Sequence, residues 1–155
     1  MTELSTLLSP ESVLADLGAT SKKALFQQLG AAAERAWGLD ARAVCETLTE
    51  REKLGSTGFG AGIAIPHGRL AGLDHVVGVF ARLAQPVDFG AVDELPVDLV
   101  FMLMSPADAG SDHLKALASV SRRLRDRAFA AKLRGAGSPD ALFALLTGVE
   151  ARDAA

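Results

Sequence analysis

Six consecutive apolar residues, Leu99-Val100-Phe101-Met102-Leu103-Met104, constrain this chain more than any other stretch of it. A strand with one face in water alternates apolar and polar side chains, so an unbroken apolar strand has to be covered on both faces. Such a strand calls for helices above and below its sheet.

The flanking sequence supplies them. Ser21 to Gly38 reads as an amphipathic helix, with Leu25, Leu29, Ala32 and Ala36 at helical spacing, Ser21 as its cap and Gly38 as its stop. Asp40 can cap a second helix running to about Lys53, on which Val44 and Leu48 share a face that continues to Arg51. Arg51 is thereby expected at a helix end. The glycine-rich stretch from Gly55 to Gly62 reads as a loop, Gly62 to Pro66 as a short strand, Gly68 as a turn, and Val76 to Leu83 as a longer strand. Gln85-Pro86 is expected to break the chain before an extended piece around Val87 to Phe89, and Asp93-Glu94 marks another turn. Beyond Ser105-Pro106 the pattern is helical again: Leu114, Leu117, Val120 and Leu124 fall on one side, with Ser111 or Asp112 as the cap. A short helix then reaches Arg134, and Ser138-Pro139-Asp140 opens a last one that Gly148 closes. The expected fold class is α/β, a single domain with a mixed β-sheet flanked by helices on both faces. Strand order is not legible from these patterns.

A length of 155 residues suits one domain, expected over 1–150 with a short tail at 151–155; no repeat or linker divides it. No apolar run approaches the ~20 residues of a membrane helix, so no stable membrane insertion is expected. The N-terminus has no basic segment followed by an apolar one, so a cytoplasmic location is expected. A net charge of -3, with lysines and arginines dispersed, argues against a nucleic-acid surface. Arg122, Arg123, Arg125 and Arg127 crowd one expected helix, as a solvated face or as a docking edge for an acidic partner. The lone Cys45 has no internal disulfide partner and, among apolar neighbours, reads as structural rather than reactive.

Of three histidines, His67 has the most unusual setting, at the end of the apolar stretch Ile63-Ala64-Ile65-Pro66 and before Gly68-Arg69. Pro66 restricts the backbone before the imidazole, and Gly68 removes bulk after it, which would leave the ring open to a large partner. A neutral imidazole near its reference pKa of ~6.5 is a competent nucleophile. Taken alone, a histidine after proline is more often structural than catalytic, so its context matters.

Arg51-Glu52-Lys53-Leu54-Gly55-Ser56-Thr57-Gly58-Phe59-Gly60, leading into Gly62-Ile63-Ala64-Ile65-Pro66-His67-Gly68, resembles the active-site signature of phosphotransferase-system enzyme IIA type 2, the fructose/mannitol family. Pro96-Val97-Asp98-Leu99-Val100-Phe101, Pro106-Ala107-Asp108 and Asp112-His113-Leu114 are similar to later segments of that family, particularly its nitrogen-regulatory branch. The resemblance covers nearly the whole chain. It implies the enzyme IIA type-2 fold and a phosphoryl group accepted on His67 from a histidine phosphocarrier protein. It places Arg51 and His113 beside His67 and puts Ser56 and Thr57 in the loop as phosphate-binding candidates. No metal or organic cofactor is implied.

The chemistry suits these residues. A phosphoryl group brings about two negative charges, which a cation and hydrogen-bond donors in a partly apolar pocket can steady. His113, expected in the first turn of its helix, would sit where backbone N–H groups and the helix dipole favour anions, with a capping or packing histidine as the alternative. Arg51 would otherwise read as a helix-end cation. The glycine-rich loop lacks the lysine of a nucleotide-binding loop, and three histidines without HExxH or CxxC form no recognised zinc set. His75, after Asp74, reads as a surface residue. Three functional readings remain open: a nitrogen-regulatory phosphocarrier acting on target proteins, a sugar-transport component passing phosphate to a IIB partner, and a regulatory binding module without catalysis.

Overall fold

The computed structural model describes residues 3–148, so the expected tail at 151–155 and the end of the expected domain lie outside the described residues. Strand β6 (Val97–Pro106) contains the apolar run, and Leu99 to Met104 are all fully buried. Its neighbours are β5 (Val77–Val87), antiparallel on one side, and the short segments β3 (Ile63–Ala64) and β4 (His67–Leu70), both parallel on the other. Beyond β5 lies β1 (Val13–Leu17), parallel to it, and beyond β3 lies β2 (Gly58–Gly60), antiparallel to it. The result is a mixed six-stranded sheet in the order β1-β5-β6-β3-β2, with β4 pairing β6.

Alternate residues of β6 feed two separate cores, as a strand's two-residue period requires. Val100, Met102 and Met104 pack with α1 (Lys22–Trp37) and α2 (Ala41–Lys53). Leu99, Phe101 and Leu103 pack with α3 (Ser111–Arg125), α4 (Arg127–Gly135) and α5 (Pro139–Thr147), joined by Leu4, Leu7 and Leu8 of the N-terminal segment. The expected covering of both faces is what the chain builds.

Helix boundaries follow the caps. Ser21 accepts from the Ala24 N–H, Asp40 from Arg42 and Ser138 from Ala141, while Gly38 and Gly148 end their helices at φ 72° and 77°. The α3 cap departs from expectation: it is Gly110, at φ 59°, and Ser111 is already helical. The apolar stripe of α3 is also rotated from the expected one. His113, Ala116, Val120 and Leu124 face inward and Leu114 is 65% exposed, so His113 occupies a position that periodicity alone would give to an apolar residue.

Three extended segments differ from the sequence reading. β1 lies in an N-terminal stretch that carried no strand assignment; Val13 and the preceding Leu7 and Leu8 are buried. β2 falls within the stretch read as a loop, where it gains order from pairing with β3. β5 continues through Gln85-Pro86 instead of breaking, with a register shift between Arg82 and Val87 at a place where the missing proline N–H is tolerated.

Gly68 is the correction that matters most to the site. It makes no turn; β4 starts at His67 and runs straight on through Gly68, which pairs with Met104. β3 and β4 share one register against β6, interrupted only at Ile65-Pro66, and the Pro66 carbonyl still accepts from the Leu103 N–H at 3.0 Å. A Cβ on residue 68 would overlap Cγ2 of Thr47 on α2. Glycine is required here because α2 packs directly onto the strand backbone, and that contact delivers the end of α2 to His67.

Candidate phosphoryl-transfer site

Among the described residues β4 has a single strand partner, so it forms a rim of the sheet that residues from both helical layers reach. His67 is its first residue. Its Nδ1 lies 2.7 Å from the Ile65 carbonyl oxygen, and since a carbonyl only accepts, Nδ1 carries the hydrogen. The neutral ring therefore holds its lone pair on Nε2. Pro66, between the two partners, limits the backbone freedom that would otherwise loosen this two-residue loop.

Arg51, at the end of α2, places its Nε 3.3 Å from His67 Nε2 and donates through Nη1 to the Gly55 carbonyl at 2.9 Å. The guanidinium is thus aimed by the same loop that leaves the helix. His113 approaches from the other layer: its ring centroid is 5.6 Å from that of His67, with the planes inclined at 54°. Arg51 and His113, far apart in sequence, are both brought to His67.

Burial, foremost, pushes the His67 pKa below its usual value; the Ile65 carbonyl opposes this, Arg51 adds to the lowering and Glu52 opposes it. The His113 pKa is lowered too, mainly by burial and then by Arg69 and His67. Both shifts favour the neutral form of the ring at neutral pH.

The two loop hydroxyls expected to bind phosphate have other partners. Thr57, only 7% exposed, donates through Oγ1 to Glu52 Oε1 at 2.7 Å, and Ser56 Oγ donates to the Phe89 carbonyl at 3.3 Å while accepting from the Gly58 N–H at 3.0 Å. Both hydroxyls hold the loop together, because a tight loop must satisfy its own buried polar groups first.

Sequence reasoning missed two residues. Glu52, whose side chain is 8% exposed, accepts from the Thr57 N–H at 3.0 Å and from Lys22 Nζ at 2.9 Å as well as from the Thr57 hydroxyl, so it clamps the loop to α1 and α2. Ser105, fully buried, has its Oγ 2.6 Å from His113 Nδ1. The only signal for Ser105 was a hydroxyl directly after an otherwise apolar strand run.

Other candidates fall elsewhere. His75 is exposed, 2.5 Å from Asp74 through Nδ1 and edge-on to Trp37. Cys45 is a free, partly buried thiol against the α1/α2 core. The arginine cluster spans two helices, since Arg127 begins α4; Arg123 lies over Phe129 and Arg125 over Phe59. Among the described residues no cluster of metal-ligating side chains occurs, and no helix is long and apolar enough to cross a membrane.

Residues 6–149 match the family described as "Phosphoenolpyruvate-dependent sugar phosphotransferase system, EIIA 2". A nitrogen regulatory protein of Bradyrhizobium diazoefficiens is 48% identical over 143 residues, covering 92% of this chain and 94% of that protein. The crystal structure of nitrogen regulatory protein IIA-Ntr from Neisseria meningitidis superimposes with a TM-score of 0.87 at 38% identity, covering 93% of this chain and 99% of that one. Enzyme IIA mannitol from Escherichia coli, solved in complex with phosphorylated enzyme IIB mannitol, shares the fold at a TM-score of 0.74 and 23% identity, covering 91% and 97% of the two chains. With the fold, the signature around His67 and these likenesses in agreement, the chain belongs to the EIIA type 2 family of the phosphotransferase system and groups with its nitrogen regulatory proteins.

Proposed function

We propose that the protein is a cytoplasmic phosphohistidine carrier that accepts a phosphoryl group on Nε2 of His67 from a histidine phosphocarrier protein and passes it on. The observation that carries this reading is the Nδ1–H bond to Ile65, which leaves Nε2 as the nucleophilic nitrogen, facing Arg51. In the forward step the Nε2 lone pair forms the new N–P bond as the donor histidine's N–P bond breaks, and the donor ring keeps the released electron pair. The Ile65 carbonyl, still bonded to Nδ1–H, stabilises the positive charge that develops on the His67 ring. Arg51 shifts its Nε–H from the ring nitrogen to the arriving phosphoryl oxygens, and His113 donates a neutral hydrogen bond. One cation and one neutral donor steady the group without trapping it, as a carrier requires. Ser56 and Thr57 act through the loop and not on the phosphate.

The downstream role we favour is regulation of target proteins according to phosphorylation state, because the relative at 48% identity and the structural neighbour at 38% are both named nitrogen regulatory proteins. Phosphoenolpyruvate with enzyme I and a histidine phosphocarrier should label the chain in an acid-labile form, and His67→Ala should abolish the label. Equal labelling of the two would refute the assignment. Pull-downs with the phosphorylated and unphosphorylated forms should recover different proteins; recovery of a sugar-specific IIB component alone would move the role to transport.

A further inference from the structure

We infer that Ser105 is a positioning residue that fixes the tautomer of His113, so that His113 presents an Nε2–H donor to the phosphoryl group on His67. This rests on the phosphocarrier reading above. It comes from hydrogen-bond accounting at a buried pair: Ser105 is fully buried at the end of β6, and its one side-chain hydrogen bond among the described residues runs to His113 Nδ1, at 2.6 Å.

A serine hydroxyl has one hydrogen to donate and two lone pairs. If Ser105 accepted from an Nδ1–H, its own hydrogen would have no partner in the core, and leaving a buried donor unpaired is more costly than leaving a lone pair empty. The hydroxyl therefore donates, and Nδ1 of His113 accepts. A neutral imidazole whose Nδ1 accepts carries its hydrogen on Nε2. Burial, with Arg69 and His67 nearby, keeps the ring neutral.

The two histidines thus hold opposite tautomers. A carbonyl makes His67 a lone-pair donor at Nε2, and a hydroxyl makes His113 a hydrogen donor at Nε2, with 5.6 Å between ring centroids. Two nucleophilic rings would contend for one phosphoryl group. Opposite tautomers leave one to carry it and the other to hold its oxygens.

The test is the nitrogen-15 spectrum of the histidine rings in the unphosphorylated protein at pH 7.5, followed by single-turnover phosphoryl transfer from the histidine phosphocarrier. The wild type should show His113 protonated at Nε2 with Nδ1 accepting. Ser105→Ala should lose that preference and slow transfer about tenfold, the loss of one modest hydrogen bond, with the label still on His67. Ser105→Thr, which keeps the hydroxyl, should restore both. A wild-type His113 protonated at Nδ1 overturns the inference, and this reading needs no variant to fold. So does a Ser105→Ala protein that loses the tautomer but transfers at the wild-type rate. Failure of the wild type to label on His67, with His113 still protonated at Nε2, would instead refute the phosphocarrier reading.

Discussion

Arg51 Nε and His67 Nε2 lie 3.3 Å apart although they are sixteen positions apart in the chain, because α2 packs against β4 closely enough to set the end of one beside the start of the other. In the proposed mechanism this distance makes the cation a partner of the ring nitrogen before the phosphoryl group arrives. Arg51→Ala should lower the rate of phosphoryl transfer by about 100-fold, comparable to removing one preorganised donor from a developing charge. Arg51→Lys should recover only part, since a point charge cannot both hold Gly55 and reach the phosphoryl oxygens. Rapid-quench transfer with labelled phosphocarrier measures both.

Gly68→Ala should destabilise the protein by about 1–3 kcal/mol, because its methyl would overlap Thr47 Cγ2 in a packed contact. Thr47→Ser removes that methyl, so the double variant should regain most of the loss. Urea unfolding followed by the single Trp37 provides the double-mutant cycle, and additive losses would count against the contact.

Glu52→Ala removes the acceptor of both Thr57 groups and of Lys22, and should cost about 1.5–3 kcal/mol, the range for hydrogen bonds to a charged group, with Lys22 partly exposed. Amide exchange at Thr57 should accelerate while exchange in β6 follows only the global stability. Unchanged protection at Thr57 would show that the clamp does not hold the loop.

Acid should weaken the fold before it reaches the carboxylates. The pKa values of His67 and His113 are lowered by folding, so the unfolded chain binds protons that the folded one refuses. Stability from these groups is intact above about pH 6.5, the unfolded value, and falls as pH drops from there through the lowered folded values. Urea midpoints at pH 7.5 and 5.5 should differ less in a His67→Ala/His113→Asn double variant than in wild type. Because folding lowers the His67 pKa, its ring loses the neutral form at a lower pH than a free histidine does, and the acid limb of the transfer rate should be displaced downward to match.

The rotation of α3 predicts a contrast between two leucines. Leu124→Ala should cost about 2–5 kcal/mol, as for a fully buried leucine, whereas Leu114→Ala, 65% exposed, should change stability by less than about 0.5 kcal/mol. Comparable losses would place the apolar stripe where periodicity alone put it.

What could be read along the chain was local. Caps at Ser21, Asp40 and Ser138, glycine stops at Gly38 and Gly148, and the apolar run of β6 are decided by neighbours a few residues away, so they were legible, as was the layered α/β class they imply. The long signature around His67 was legible too, since its members adjoin one another. β1, β2 and the continuation of β5 past Pro86 were not, because a short strand is ordered by a partner distant in sequence.

The site divides along the same line. Neighbouring residues alone show that His67 follows a proline and an apolar strand, and that Arg51 lies at the end of a helix. Packing between distant elements is what sets Gly68 against a helix, turns His113 inward on α3, engages the Ser56 and Thr57 hydroxyls within the loop, and brings Glu52 to Thr57 and Ser105 to His113. Which nitrogen holds a hydrogen depends on the acceptor or donor a few ångströms away, and for His113 that partner is brought by a neighbouring strand.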